Sequence, residues 1–130
     1  MVSLSWHPRN PKTGGDAWDV SDHAVVKSIL PEGENYEKFQ SWLGKVNDFI
    51  LSLKTSDSTK IPVLFRPWHE HTGSWFWWGQ NLCTTDEYKA LWRMTADYLN
   101  AHGAADQIVY AYSTGTEPRD QASYLERYPG

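Results

Sequence analysis

Two long amphipathic patterns, Asn35 to Lys54 and Thr84 to Ala101, each stand between short apolar runs. That alternation constrains the fold more than any other feature of the chain. The runs are Val2 to Trp6, Ile61 to Phe65 and Gln107 to Tyr112. Segments that contain a helix are too long for a hairpin and suit a crossover, so the three runs are expected to be parallel strands with right-handed connections. The run Ile-Pro-Val-Leu-Phe at 61–65 reads as a strand buried on both faces. In the first helix, Tyr36, Phe39, Leu43, Val46, Phe49, Ile50 and Leu53 form one apolar stripe, with Asn35 as the expected cap. The second opens on Thr84-Thr85-Asp86-Glu87, the pattern of a capping box, and Gly103 is a suitable left-handed terminator. Trp92, inside it, is expected in the core. Shorter helices are expected over Asp22 to Leu30, stopped by Pro31, and over Asp120 to Arg127, after a loop holding Gly115 and Pro118.

Ligands of parallel α/β sheets bind at the carboxyl ends of the strands. At the end of the Ile61 run stand Arg66, His69, Glu70 and His71, then Trp75, Phe76, Trp77 and Trp78. Glu70 is the one carboxylate in the stretch. Burial among rings would raise its pKa toward that of a general acid, while Arg66 would lower it, and spacing does not decide between them. The rings suit a sugar, whose apolar C–H face lies on an indole while its hydroxyls bond polar neighbours. The competing reading is ordinary core. Four consecutive residues of a strand or helix do not all face one core. Trp6 and His7 close the first strand, and His7 reads equally as a plain structural histidine. The loop Pro8 to Ser21, with Asn10-Pro11 and Gly14-Gly15, is a long βα loop. Within it, Trp18 either flanks the ligand or is the ring its own loop folds on, and Asp16 and Asp19 are candidates for a second carboxylate.

The run Arg66-Pro67-Trp68-His69-Glu70, followed by Gly73-Ser74-Trp75-Phe76-Trp77-Trp78-Gly79, resembles glycoside hydrolase family 26, the retaining β-mannanases. The likeness extends to Leu4-Ser5-Trp6-His7, Tyr88-Lys89-Ala90-Leu91-Trp92, Tyr110-Ala111-Tyr112-Ser113 and Tyr124-Leu125-Glu126-Arg127-Tyr128-Pro129-Gly130. The resemblance implies a (β/α)₈ barrel, of which residues 1–130 would be one partial catalytic domain, strands three to five with their helices. It implies that Glu70 is the acid/base and that the nucleophile is a second glutamate, on a later strand beyond this chain. It assigns His7 and His69 to the sugar site, Trp75 to stacking, and Trp78 and Trp18 to further sugar contacts. Arg66 would support the nucleophile electrostatically, or else pack inside the barrel. His69 would orient Glu70 or touch the sugar. The implied activity is retaining hydrolysis of internal β-1,4-mannosidic bonds in mannan, galactomannan and mannooligosaccharides. A β-glucanase or xylanase of the same family and a non-catalytic sugar-binding fragment are the alternatives.

Composition narrows the rest. A complete barrel needs roughly 250 residues, and this chain has 130. The formal net charge of −4, with no basic run, argues against nucleic acid. No stretch approaches the roughly 20 apolar residues of a membrane span. The opening Val-Ser-Leu-Ser-Trp-His is not a signal peptide, which leaves the compartment open, although the family resembled is usually secreted or at the cell surface. Cys83, the single cysteine, excludes an internal disulfide. No cofactor is implied. His69 and His71 around Glu70 are weak evidence for a metal, since zinc spacing is absent. There is no Gly-x-Ser-x-Gly elbow and no Gly-rich phosphate loop. A part-barrel exposes sheet edges, so self-association through them is expected.

Overall fold

The computed structural model describes residues 1–117 and 120–130; the expected loop residue Pro118 lies outside them. The order is β1 (Val2–Ser5), α1 (Val25–Ile29), α2 (Tyr36–Ser52), β2 (Val63–Arg66), α3 (Thr85–Leu99), β3 (Ile108–Tyr110) and α4 (Gln121–Leu125). The strands form one sheet in chain order, β1-β2-β3, and both pairings are parallel. Three consecutive β/α units in this arrangement form an arc of a (β/α)₈ barrel.

Strand register divides the sheet into two faces. Val63 and Phe65 are fully buried and pack with Ile50 of α2 and Leu99 of α3. On the other face Ser3 is paired with Leu64 and Leu64 with Val109, while Ser5 is paired with Arg66. That face is open, with Val109 52% exposed. β2 is thus fully buried on its helix side, as expected, and partly buried at Leu64 on the other. Helices cover one side only, and in a barrel the other looks inward.

The helices follow their apolar stripes, with two differences. Phe39, Leu43 and Ile50 are fully buried, whereas Phe49 lies off the stripe and is 51% exposed. Asn35 precedes α2 but makes no side-chain cap; its amide donates to Ser28 Oγ instead. The capping box of α3 forms as expected. Glu87 N donates to Thr84 Oγ1 (3.1 Å) and Thr84 N to Glu87 Oε1 (2.9 Å). Gly103 takes φ +103° in the turn after α3, where an L side chain would be strained. Trp92 is core, 4% exposed. Asp120 caps α4 by accepting from Ser123 N.

Candidate active site

Arg66, the last residue of β2, lies across the three strand ends. Its Nε donates to Ser113 Oγ at 3.0 Å and its Nη1 to Ser5 Oγ at 3.3 Å. It belongs to the open face of the sheet, the face that looks inward in a barrel. The chain then turns sharply. Trp68 and Glu70 have φ of +56° and +54°, a region that costs an L residue about 1 kcal/mol or more and persists only where its surroundings enforce it.

That turn directs Glu70 to the mouth. Its amide donates to the Ser113 carbonyl (3.0 Å), tying it to the segment just after β3. Its half-buried carboxylate accepts a hydrogen bond from Trp75 Nε1 at 3.2 Å. The contact is an N–H donor, not the apolar ring wall expected around the carboxylate. Trp75 is 37% exposed. Gly73 makes room for it, because a Cβ at residue 73 would lie 1.9 Å from the indole.

The other three rings turn inward. Phe76, Trp77 and Trp78 are at most 2% exposed. The stretch is neither strand nor helix but a series of turns and bends, so neighbouring side chains reach one core by different routes. Phe76 stacks on Trp78 at 4.4 Å and 14°. Trp77 Nε1 donates to the Pro8 carbonyl (3.0 Å), and Trp78 Nε1 to the His69 carbonyl (2.9 Å). Trp78 is thereby corrected as a sugar-facing ring, since both its face and its N–H are spent inside the protein.

Trp18 is 59% exposed, with its ring 4.6 Å from that of Phe76. Trp77 N bonds the Ala17 carbonyl, so the long first loop lies against the aromatic stretch. Asp16 and Asp19 are corrected as a second carboxylate. Asp16 accepts from Trp18 N, and Asp19 from Thr13 and Ser21, all within their own loop. The exposed His7 meets the buried His69 with Nε2···Nε2 3.0 Å. Desolvation, with the charges of His7 and Arg66 added, lowers the His69 pKa to about 4. His69 is thus neutral near pH 7, and one imidazole donates its N–H to the other.

This shift predicts a pH dependence. A histidine whose folded pKa lies below 6.5 binds fewer protons folded than unfolded between about pH 4 and 6.5. Its contribution to stability is complete above pH 6.5 and is lost as pH falls toward 4. Urea midpoints at pH 7.5, 5.5 and 4.5 are expected to fall in that order, and His69→Gln to flatten the series. A series equally steep in the variant would assign the acid sensitivity elsewhere.

Several residues of the site were not singled out from sequence. Ser5 and Ser113 hold Arg66. Thr72 Oγ1 donates to Glu117 Oε1 (2.6 Å), joining the Glu70 turn to the segment after β3. Tyr88 OH donates to the Trp68 carbonyl (2.6 Å), and Arg127 Nη1 to that of His71 (2.7 Å). Tyr88 and Arg127 lie in stretches that carry the family resemblance, but nothing in their spacing points to Glu70. No group of three His, Cys, Asp or Glu able to hold a metal occurs among the described residues, and none of their helices is long and apolar enough to cross a membrane.

Comparison with known proteins follows the same lines. The chain is 41% identical over 131 residues to a mannan endo-1,4-beta-mannosidase of Bifidobacterium adolescentis, covering 100% of this chain and 13% of that protein. A Bacillus subtilis mannan endo-1,4-beta-mannosidase is 28% identical over 138 residues, covering 100% of this chain and 37% of that one. Among solved structures, a GH26 beta-mannanase from Bacteroides ovatus superposes with a TM-score of 0.96 at 58% identity, covering all of this chain and 38% of that one. The catalytic domain of an endo-beta-1,4-mannanase from Bacillus sp. JAMB-750 gives 0.94 at 42% identity, covering 100% and 34%. The chain thus spans between about an eighth and two fifths of the length of these relatives. The model of glycosyl hydrolase family 26 matches residues 1–130, every position of the sequence, and the chain belongs to that family.

Proposed function

We propose that residues 1–130 form one partial catalytic domain, the acid/base-bearing arc of a retaining endo-β-1,4-mannanase. The observation that carries the reading is the Glu70 carboxylate at the strand-end mouth, held by the N–H of the exposed indole Trp75. Retaining glycosidases use two carboxyl groups about 5–5.5 Å apart. Glu70 would protonate the departing glycosidic oxygen, then take a proton from the water that releases the sugar. The nucleophile, a second glutamate, would come from a β/α unit beyond these three. Arg66, on the inward face of the sheet, would favour its ionised form. His7, held by neutral His69, would offer a ring nitrogen to the sugar bound there. Trp75 and Trp18 are the exposed rings suited to pyranose faces.

A chromatographic product screen on mannan, mixed-linkage glucan and xylan tests this, using the 130-residue chain and a barrel that includes the remaining units. The completed barrel is expected to release mannooligosaccharides alone, and the short chain to bind mannohexaose without turnover. Cleavage of glucan or xylan at comparable rates would favour a sister specificity of the family. Trp75→Ala is expected to weaken mannohexaose binding to the short chain about tenfold, in line with stacking energies of about 0.5–1.5 kcal/mol. Unchanged affinity on calorimetric titration would remove Trp75 from the sugar site.

The open face and edges, with Val2 38% and Val109 52% exposed, support self-association of the short chain. Sedimentation velocity is expected to give a mass that rises with concentration; a concentration-independent monomer would refute it.

A further inference from the structure

We propose that Trp78, Tyr88 and Arg127 act together as positioning residues that set the direction of the Glu70 carboxylate. The inference rests on the reading of Glu70 as acid/base and deepens it, assigning a role at that site to three buried side chains. Four successive carbonyls of the turn each receive a donor. Trp68 O accepts from Tyr88 OH (2.6 Å), His69 O from Trp78 Nε1 (2.9 Å), Glu70 O from Gly73 N (3.2 Å) and His71 O from Arg127 Nη1 (2.7 Å). Three of the four donors are side chains, and all three residues are at most 1% exposed, so water does not take their place. They cap a backbone that is left-handed at two non-glycine residues on either side of His69. Without such capping the turn would relax and swing the carboxylate with it.

Arg127 is the most telling member. Its guanidinium is buried with no carboxylate partner among the described residues. It lies 4.2 Å from the centroid of the Tyr88 ring and donates to the His71 carbonyl and to Cys83 Sγ (3.0 Å). Cys83 does not neutralise it, because burial pushes the thiol pKa up to about 11. A buried cation without a counter-ion is a poor way to gain stability, and an apolar side chain of similar volume would serve better. What it supplies is a directed N–H at the residue after Glu70. Tyr88 supplies the matching donor two residues before Glu70. Burial raises its phenol pKa well above the usual value, so the donor proton stays in place. The ring of one brace stacks on the cation of the other, which makes the two a unit.

Trp75 Nε1–H, bonded to Glu70, reports on the carboxylate without any sugar or turnover. Tyr88→Phe keeps the ring and the stacking but removes the donor; Arg127→Lys keeps the charge but removes the planar fork. Proton–nitrogen spectra of the 130-residue chain are expected to show the Trp75 indole resonance displaced in both variants, with solvent exchange about tenfold faster. The α2 amides are expected to stay in place, and the Glu70 carboxyl carbon resonance to be displaced from its position in the parent chain. An unmoved Trp75 resonance and an unmoved Glu70 carboxyl resonance in both variants would overturn the proposal. So would collapse of the whole spectrum in both, which would make the pair a requirement of the fold and not a brace of one turn. Failure of the mannanase reading is seen separately, as parent-chain spectra unaltered by mannohexaose.

Discussion

Glu70→Gln is expected to lower kcat on mannan about 10²–10⁴-fold in the completed barrel, the usual contribution of general acid–base catalysis. Glutamine preserves the size of the side chain and can still accept from Trp75 Nε1, so the local geometry survives while the proton is lost. The defect should depend on the leaving group. An aryl mannoside that departs as a stable phenolate needs no proton, so its first step should be nearly spared. The second step still needs a base to activate water, so a covalent mannosyl-enzyme should accumulate. Azide needs no base and should release that intermediate as the β-mannosyl azide, with retained configuration. Burst kinetics with an activated aryl mannoside, with and without azide, check all three results. An equal loss with every leaving group and no rescue would make Glu70 a structural carboxylate.

Trp68→Ala is expected to cost about 3–5 kcal/mol, the range for a large aromatic truncated in a core. Domains have about 5–15 kcal/mol in total, so a fifth or more of the stability is at stake. Trp68 is fully buried. The rings of Trp6, Trp77 and Trp78 lie 5.5 Å from it and that of Phe39 5.9 Å. Its Nε1 donates to buried Thr95 Oγ1 at 3.1 Å, so alanine leaves both a cavity and a missing bond. Guanidinium unfolding followed by far-ultraviolet circular dichroism measures the cost without relying on the deleted indole. Trp68→Phe should recover much of the packing but not the bond to Thr95. A loss below about 1 kcal/mol for alanine would mean that the ring cluster repacks around the gap.

The strands, the two long helices and the Thr84–Glu87 box were legible because each is written in local pattern. Period, length and cap chemistry are read over a few residues, and the crossover length then makes the strands parallel. Asn35 escaped because its amide is drawn to Ser28, across a turn with no period. Which rings face the mouth was not legible either. Trp75 and Trp78 are three residues apart and of one type, yet one is exposed and the other buried. Their separation depends on the left-handed turns at Trp68 and Glu70, on the space at Gly73, and on donors from Tyr88 and Arg127, 18 and 57 residues after Glu70. Glu70 stood out as the one carboxylate at the strand end, and its reading as the acid/base came with the family resemblance. The donor it meets, an indole N–H, is a tertiary fact that spacing does not encode.

Two braces of the Glu70 turn, Tyr88 and Arg127, come from α3 and from just beyond α4, the two helices that follow it in the chain. This bears on recombining such barrels. A chimera joined ahead of Val63 inherits the acid together with everything that aims it, whereas a junction between Leu99 and Arg127 parts the turn from one of its supports. Breakpoints set by strand boundaries alone would miss that difference.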